Sequence, residues 1–151
     1  MSTNDPLATA TPLSAPVYGA SLPVAFSRFW KKYATFSGRA SRSEYWWWFL
    51  VGLIVAAILS LIGTLAGGIY GAPDSSGVPT LGPGYGIYLT LSIIWGLATL
   101  VPGLALAWRR LHDSNHSGGF YFLAFIPIVG VIILLVFLLL PANPQGARFD
   151  R

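Results

Sequence analysis

The chain has 151 residues, 54% of them hydrophobic and only 9% charged. A soluble domain carries about 25% charge and needs it to cover its surface, so nine Lys and Arg with five Asp and Glu exclude an ordinary water-soluble globule. Disorder throughout is excluded by the same apolar content and by 15% aromatic residues, because disordered chains are polar and aromatic-poor. Without Cys there are no disulfides, thiolate metal sites or Cys nucleophiles. A net charge of +4, spread in short clusters beside apolar runs, is no basic face for nucleic acid.

Residues 1–20 are rich in Ser, Thr, Ala and Pro and are expected to form a flexible tail. The first basic residue is Arg28, so the opening stretch lacks the pattern of a secretory signal peptide. From about residue 22 to 37, Leu22, Phe26, Phe29, Tyr33 and Phe36 recur at helical spacing, with Arg28, Lys31, Lys32 and Thr35 opposite. This pattern predicts an amphipathic helix lying in the cytoplasmic membrane interface. Ser21 suits its N-cap, Pro23 its first turn and Gly38 its end. Ser41 and Glu44 then stand three apart before an apolar run, the spacing of a capping box.

Three charge-free stretches follow, at about 46–69, 86–107 and 120–140. Each is long enough to cross about 30 Å of hydrocarbon as a helix. The expected fold is an all-α membrane protein with three transmembrane helices, residues 21–151 forming one helical membrane domain. Arg28, Lys31, Lys32, Arg39, Arg42, Arg109 and Arg110 fall on one side of these spans, and Arg148 and Arg151 on the other. The positive-inside rule therefore predicts a cytoplasmic N-terminus and a C-terminus outside. Pro127 and Gly130 interrupt the third stretch. A kinked crossing is preferred over a re-entrant turn, because residues 131–140 alone are too short to cross. Small residues, Gly52, Ala56, Ser60, Gly63 and Gly67 on one span and Ser92, Gly96, Thr99, Gly103 and Ala107 on the next, form stripes suited to close helix contact.

The spans carry no mid-depth charge, as a pore or transport path would need. Polar chemistry is confined to the cytoplasmic boundary, where Arg39, Arg42 and Glu44 precede the first span and Arg109, Arg110, His112 and Asp113 follow the second. The arginines suit a lipid phosphate. His112 and His116, with Asp113, suit a metal only if helix runs through Ser114 and Asn115, which favour a loop. Asp113 with a His suits acid–base work, but no nucleophile with a matching base stands near it in the sequence. A structural network of ion pairs between helix ends explains the same residues, Glu44 being already explained as a cap.

Three segments carry a family resemblance. They are Phe36 to Trp46, the Arg-Arg-Leu-His-Asp string at 109–113 with Ser117 and Gly118, and Ile126 to Gly130. In order and spacing the chain resembles domain of unknown function 805, the YhaH-like small bacterial inner-membrane proteins, over about residues 24–146. The family tail, usually Gly-x-Asn-Arg-Phe-Gly, here reads Gly146, Ala147, Arg148, Phe149, Asp150 after Gln145. The resemblance implies a three-span protein of the bacterial inner membrane and supplies no catalytic residue.

The expected function is therefore that of a non-enzymatic, multi-pass inner-membrane protein without cofactor or metal. Its partners would be the bilayer, anionic phospholipid, a membrane protein or a second copy of itself. Arg39, Arg42, Glu44, Arg109, Arg110, His112 and Asp113 are the candidate lipid- or partner-binding residues. The alternatives are a small transporter or channel subunit acting as an oligomer, and a membrane enzyme acting on lipid.

Overall fold

A computed structural model describes residues 11–150. Its regular elements are helical: α1 (Leu22–Lys31), α2 (Arg42–Leu65), α3 (Tyr85–Asp113) and α4 (Val129–Leu139), with 3-10 helices at Gly118–Phe125 and Pro144–Phe149. The chain divides into two compact units. One comprises the described residues up to Phe49 with those from Val101 onward, and the other comprises Leu50–Leu100. The second unit is a helical hairpin. Its apolar side chains point outward, Leu65 being 78% exposed and Leu97 66%, which is the pattern of helices whose solvent is lipid.

The capping box forms as its spacing requires. Ser41 Oγ accepts from the Glu44 N–H at 3.2 Å, and Glu44 Oε2 accepts from the Ser41 N–H at 2.9 Å. The 24 residues of α2 span about 36 Å, and the helix stops before Gly67 and Gly68, both with positive φ. Close packing of the small-residue stripes is not general. A Cβ on Gly63 would stand 2.8 Å from Tyr88 Cβ, but one on Gly52, Gly96 or Gly103 would meet nothing within 4 Å. The 29-residue α3 ends in a Schellman motif: the Asn115 N–H donates to His112 O, and His116 N–H to Leu111 O, both at 2.9 Å. Asn115 takes the left-handed position at φ +64, which Asn tolerates.

Three expectations are corrected in the first unit. Residues 11–20 are packed and are no flexible tail: Val17 and Ala20 are buried, and the Arg28 guanidinium donates to the carbonyls of Pro12 and Ala15. The remainder of the expected tail, residues 1–10, lies outside the described residues. Second, α1 ends at Lys31 and not near residue 37, because Phe36 is drawn edge-on to Trp108, and Gly38 N–H donates to Phe149 O at 2.7 Å. Its polarity is also turned inward: Arg28 and Lys32, expected on the water face, are buried, while Phe26 and Tyr33 are exposed. Ser21 occupies the N-cap position with no side-chain hydrogen bond.

The third correction concerns the third stretch, which does not cross as one kinked helix. Residues 118–125 are a 3-10 helix, and the 11 residues of α4 reach only about 16 Å. Pro127 has no N–H to continue a helix. Ile128 sits at φ +63, ψ −70 in a γ-turn closed by Val129 N–H on Pro127 O at 2.7 Å, a strained conformation for a β-branched residue. Gly130 then packs directly on the Leu123 carbonyl, where a Cβ has no room. The chain doubles back, Leu134 and Leu138 pack against Leu111, and the tail returns to the start of the stretch. Asn143 N–H donates to Asp113 O at 2.8 Å, and Asp150 pairs with Arg39. The C-terminal tail therefore lies beside Arg39 and Asp113, and its expected placement on the far side of a third crossing finds no support in these contacts.

Candidate functional site

Every polar residue singled out from the sequence falls in the first unit, where the elements meet as a charged layer. Glu44 is fixed by the capping box, and its Oε1 accepts from Arg28 Nε at 2.7 Å while Oε2 also accepts from Val17 N–H at 3.1 Å. Asp113, at the end of α3, accepts from Arg110 Nη1 at 2.7 Å and from Tyr18 OH at 2.9 Å, and Arg39 Nη1 stands 3.9 Å away. Arg110 is fully buried, donating to the carbonyls of Leu138 and Leu140 at the end of α4. Those carbonyls are the unpaired last groups of a helix, and a guanidinium meets them favourably. Arg39 holds Asp150 through Nε and Nη2, at 2.9 and 2.6 Å. Burial and the bond to Asp113 push the Tyr18 phenol up to about 12.

His112 and His116 do not converge. His112 Nδ1 bonds Gly38 O at 3.0 Å, and its ring stacks on Phe149 at 4.0 Å. His116 bonds Ser114 Oγ at 3.1 Å and stacks on Phe137 at 4.2 Å. The Schellman turn at Asn115 separates the two rings, so the helical spacing that a shared metal needs is broken.

Sequence reasoning thus finds the residues but assigns them too open a role. Arg39, Glu44, Arg110, His112 and Asp113 are committed to internal partners. Arg109 is buried, its Nε donating to Ala105 O at 3.1 Å while Nη1 has no hydrogen-bond partner. Arg42 alone of the seven candidates is exposed, without a hydrogen bond or ion pair to the described residues. It stands at the rim of a polar pocket of about 270 Å³ that Tyr18, Ser41, Ser43 and Asp113 also line.

Four contributors were missed: Arg28 and Lys32, read as solvent-facing, and Arg148 and Asp150, read as lying across the membrane. Lys32 is 2% exposed and its Nζ has no hydrogen-bond partner. Burial pushes its amine from 10.5 down to about 7; Arg28 and Arg109 lower it further, against Glu44 and Asp150. One signal in the sequence pointed to this crowding. Cations outnumber acids in the same stretches, so not every one of them can have a carboxylate partner there.

Charge turned inward and apolar side chains turned outward, with two helices long enough to cross a bilayer, define a helical membrane protein. The chain belongs to the family described as Protein of unknown function (DUF805), whose model matches residues 33–151. It is 42% identical over 121 residues to the inner membrane protein YhaI of Escherichia coli (strain K12), covering 80% of this chain and 87% of that one. It is 34% identical over 119 residues to inner membrane protein YhaH of the same strain, covering 79% and 87%. No solved structure matches. Residues 1–32, with α1 and the Arg28 partner of Glu44, lie before the family match.

Proposed function

We propose that the chain is a non-enzymatic protein of the bacterial inner membrane whose cytoplasmic face engages anionic lipid headgroups. The printed names of its relatives support the inner membrane. The single observation that carries the headgroup reading is Arg42, exposed and without a partner among the described residues, beside a polar pocket at the start of α2. A guanidinium at a helix N-terminus is suited to phosphate oxygens. Lys31, also exposed and flanked by exposed Phe26 and Tyr33, supplies a second cation next to rings that suit the interface. In this reading α1 lies in the interface with its aromatic face toward lipid. The buried charges form the clasp beneath it, and both described ends of the chain are cytoplasmic, in keeping with all nine Lys and Arg lying outside residues 43–108.

Native mass spectrometry of the protein in nanodiscs tests this. Wild type is expected to retain phosphatidylglycerol over phosphatidylcholine, and Lys31→Gln with Arg42→Gln to lose much of that preference. Equal retention by the double variant would refute the headgroup role of these two cations.

A further inference from the structure

Two adjoining depressions in the first unit share Ser117. The first, of about 530 Å³, is lined by Ser37, His112, Ser117, Arg148 and Phe149. The second, of about 430 Å³, is lined by Ser117, Gly119, Phe120, Phe122 and Leu123. Both walls are mostly apolar, but the first also carries the Arg148 guanidinium, the Ser37 and Ser117 hydroxyls and the His112 ring, with no carboxylate among its described lining residues. A cation and hydroxyls gathered at one end of a longer apolar surface match a phospholipid, with a charged head next to a hydrocarbon chain.

The polar part is specific in its chemistry. A carbonyl only accepts, so the contact between His112 Nδ1 and Gly38 O places the ring proton on Nδ1. Nε2 of the neutral ring is then an acceptor without a hydrogen bond to the described residues, on a side chain that lines the depression. The ring cannot turn away, because it is stacked on Phe149 at an interplanar angle of 4°. The Arg148 guanidinium sits 4.7 Å above the same Phe149 ring. Ser37 and Ser117 add two hydroxyls. The wall therefore donates to an anion from Arg148 and the serines, and accepts from an O–H at His112.

We propose that this composite pocket binds a phospholipid whose phosphate bears a hydroxylated alcohol, of the phosphoglycerol kind. The phosphate meets Arg148, Ser37 and Ser117, an alcohol hydroxyl donates to His112 Nε2, and one chain runs over Phe120, Phe122 and Leu123. The site rests on the reading that this face meets lipid, and it uses none of the residues that carried that reading.

The test is native mass spectrometry of delipidated protein, given phosphatidylglycerol, phosphatidic acid or phosphatidylcholine. Wild type is expected to hold one phosphatidylglycerol in preference to both others. Arg148→Gln, at an exposed position, is expected to weaken that binding about tenfold, the loss of one charge-assisted hydrogen bond. His112→Asn, which keeps a donor near Gly38 and removes Nε2, is expected to abolish the preference over phosphatidic acid while leaving phosphatidic acid bound as before. Lys31→Gln with Arg42→Gln is expected to leave this one lipid in place. Unchanged binding in both Arg148→Gln and Ser37→Val overturns the pocket whatever the Lys31 and Arg42 result, which judges the broader reading separately. Equal loss of both lipids in His112→Asn overturns the hydroxyl assignment. Free glycerol phosphate binding as tightly as the lipid overturns the role of the apolar groove.

Discussion

Replacing Lys32 by Met probes the energetics of the buried charged layer directly. The Lys32 side chain is 2% exposed, its Nζ has no hydrogen-bond partner, and the nearby carboxylate of Glu44 is already saturated by Arg28, Ser41 and Val17. The folded amine gives up its proton near pH 7, against 10.5 for an ordinary Lys. Between those values the folded state binds fewer protons than the unfolded state, so stability rises with pH across this window and is flat below it. One unit is worth about 1.4 kcal/mol, which sets an upper bound of about 5 kcal/mol for the burden at neutral pH. A four-carbon stem that bends toward water reduces this to on the order of 2 kcal/mol. Met fills similar volume without the amine. Lys32→Met is therefore expected to raise the apparent unfolding midpoint at pH 7 by about 4–8 °C for a chain of this size, read by the fluorescence of Trp30 and Trp48 in detergent. The advantage should shrink steadily toward pH 10. A lower midpoint in the variant, or a difference that stays constant from pH 7 to 10, would refute the reasoning.

Other expectations follow from the same geometry. Glu44→Ala leaves Arg28 buried without its carboxylate and should destabilise the fold by about 3–5 kcal/mol, seen as a large drop in the same midpoint; Arg42→Ala, at an exposed position, should shift it by less than about 0.5 kcal/mol. Gly130→Ala drives a Cβ into the Leu123 carbonyl and should cost about 1–3 kcal/mol, with increased proteolysis between residues 118 and 139. Asp150→Asn weakens a largely buried, two-point pair with Arg39. It should cost about 1–3 kcal/mol, while hydrogen exchange at the Gly38 amide speeds up. Single Cys placed at the exposed Ser117 and Gln145 should label from the same, cytoplasmic side, since the neighbouring Asn115 and Gln145 are hydrogen-bonded at 3.1 Å. Cys at Ser76 should label from the opposite side. Labelling of position 145 together with position 76 would restore a third crossing.

How much was legible depended on whether the signal is local. The capping box at Ser41 and Glu44 was readable because its two residues are three apart and satisfy each other. The stop at Asn115 was readable for the same reason, from turn-forming residues in a row. The third stretch misled because hydropathy reports length and solvent but not backbone path. Pro127 and Gly130 signalled a break, and the direction of exit was set by the γ-turn at Ile128 and by the Leu123 carbonyl across it. With a third crossing expected, Arg148 and Asp150 stood apart from the inner cluster, and their contacts with Phe149 and Arg39 were out of reach.

The sequence by itself determined the solvent of this protein. With so few charges, long helices must turn apolar side chains outward, and composition is a sum that needs no contacts to evaluate. It also determined which polar residues matter, because they stand in two short strings. Only the tertiary structure decided their use. The partners of Glu44, Asp113 and Arg39 include Arg28, Tyr18 and Asp150, which lie 16, 95 and 111 residues away along the chain. Pairing over such distances follows from how the backbone folds back, and that decided which cations are held in the clasp and which stay exposed.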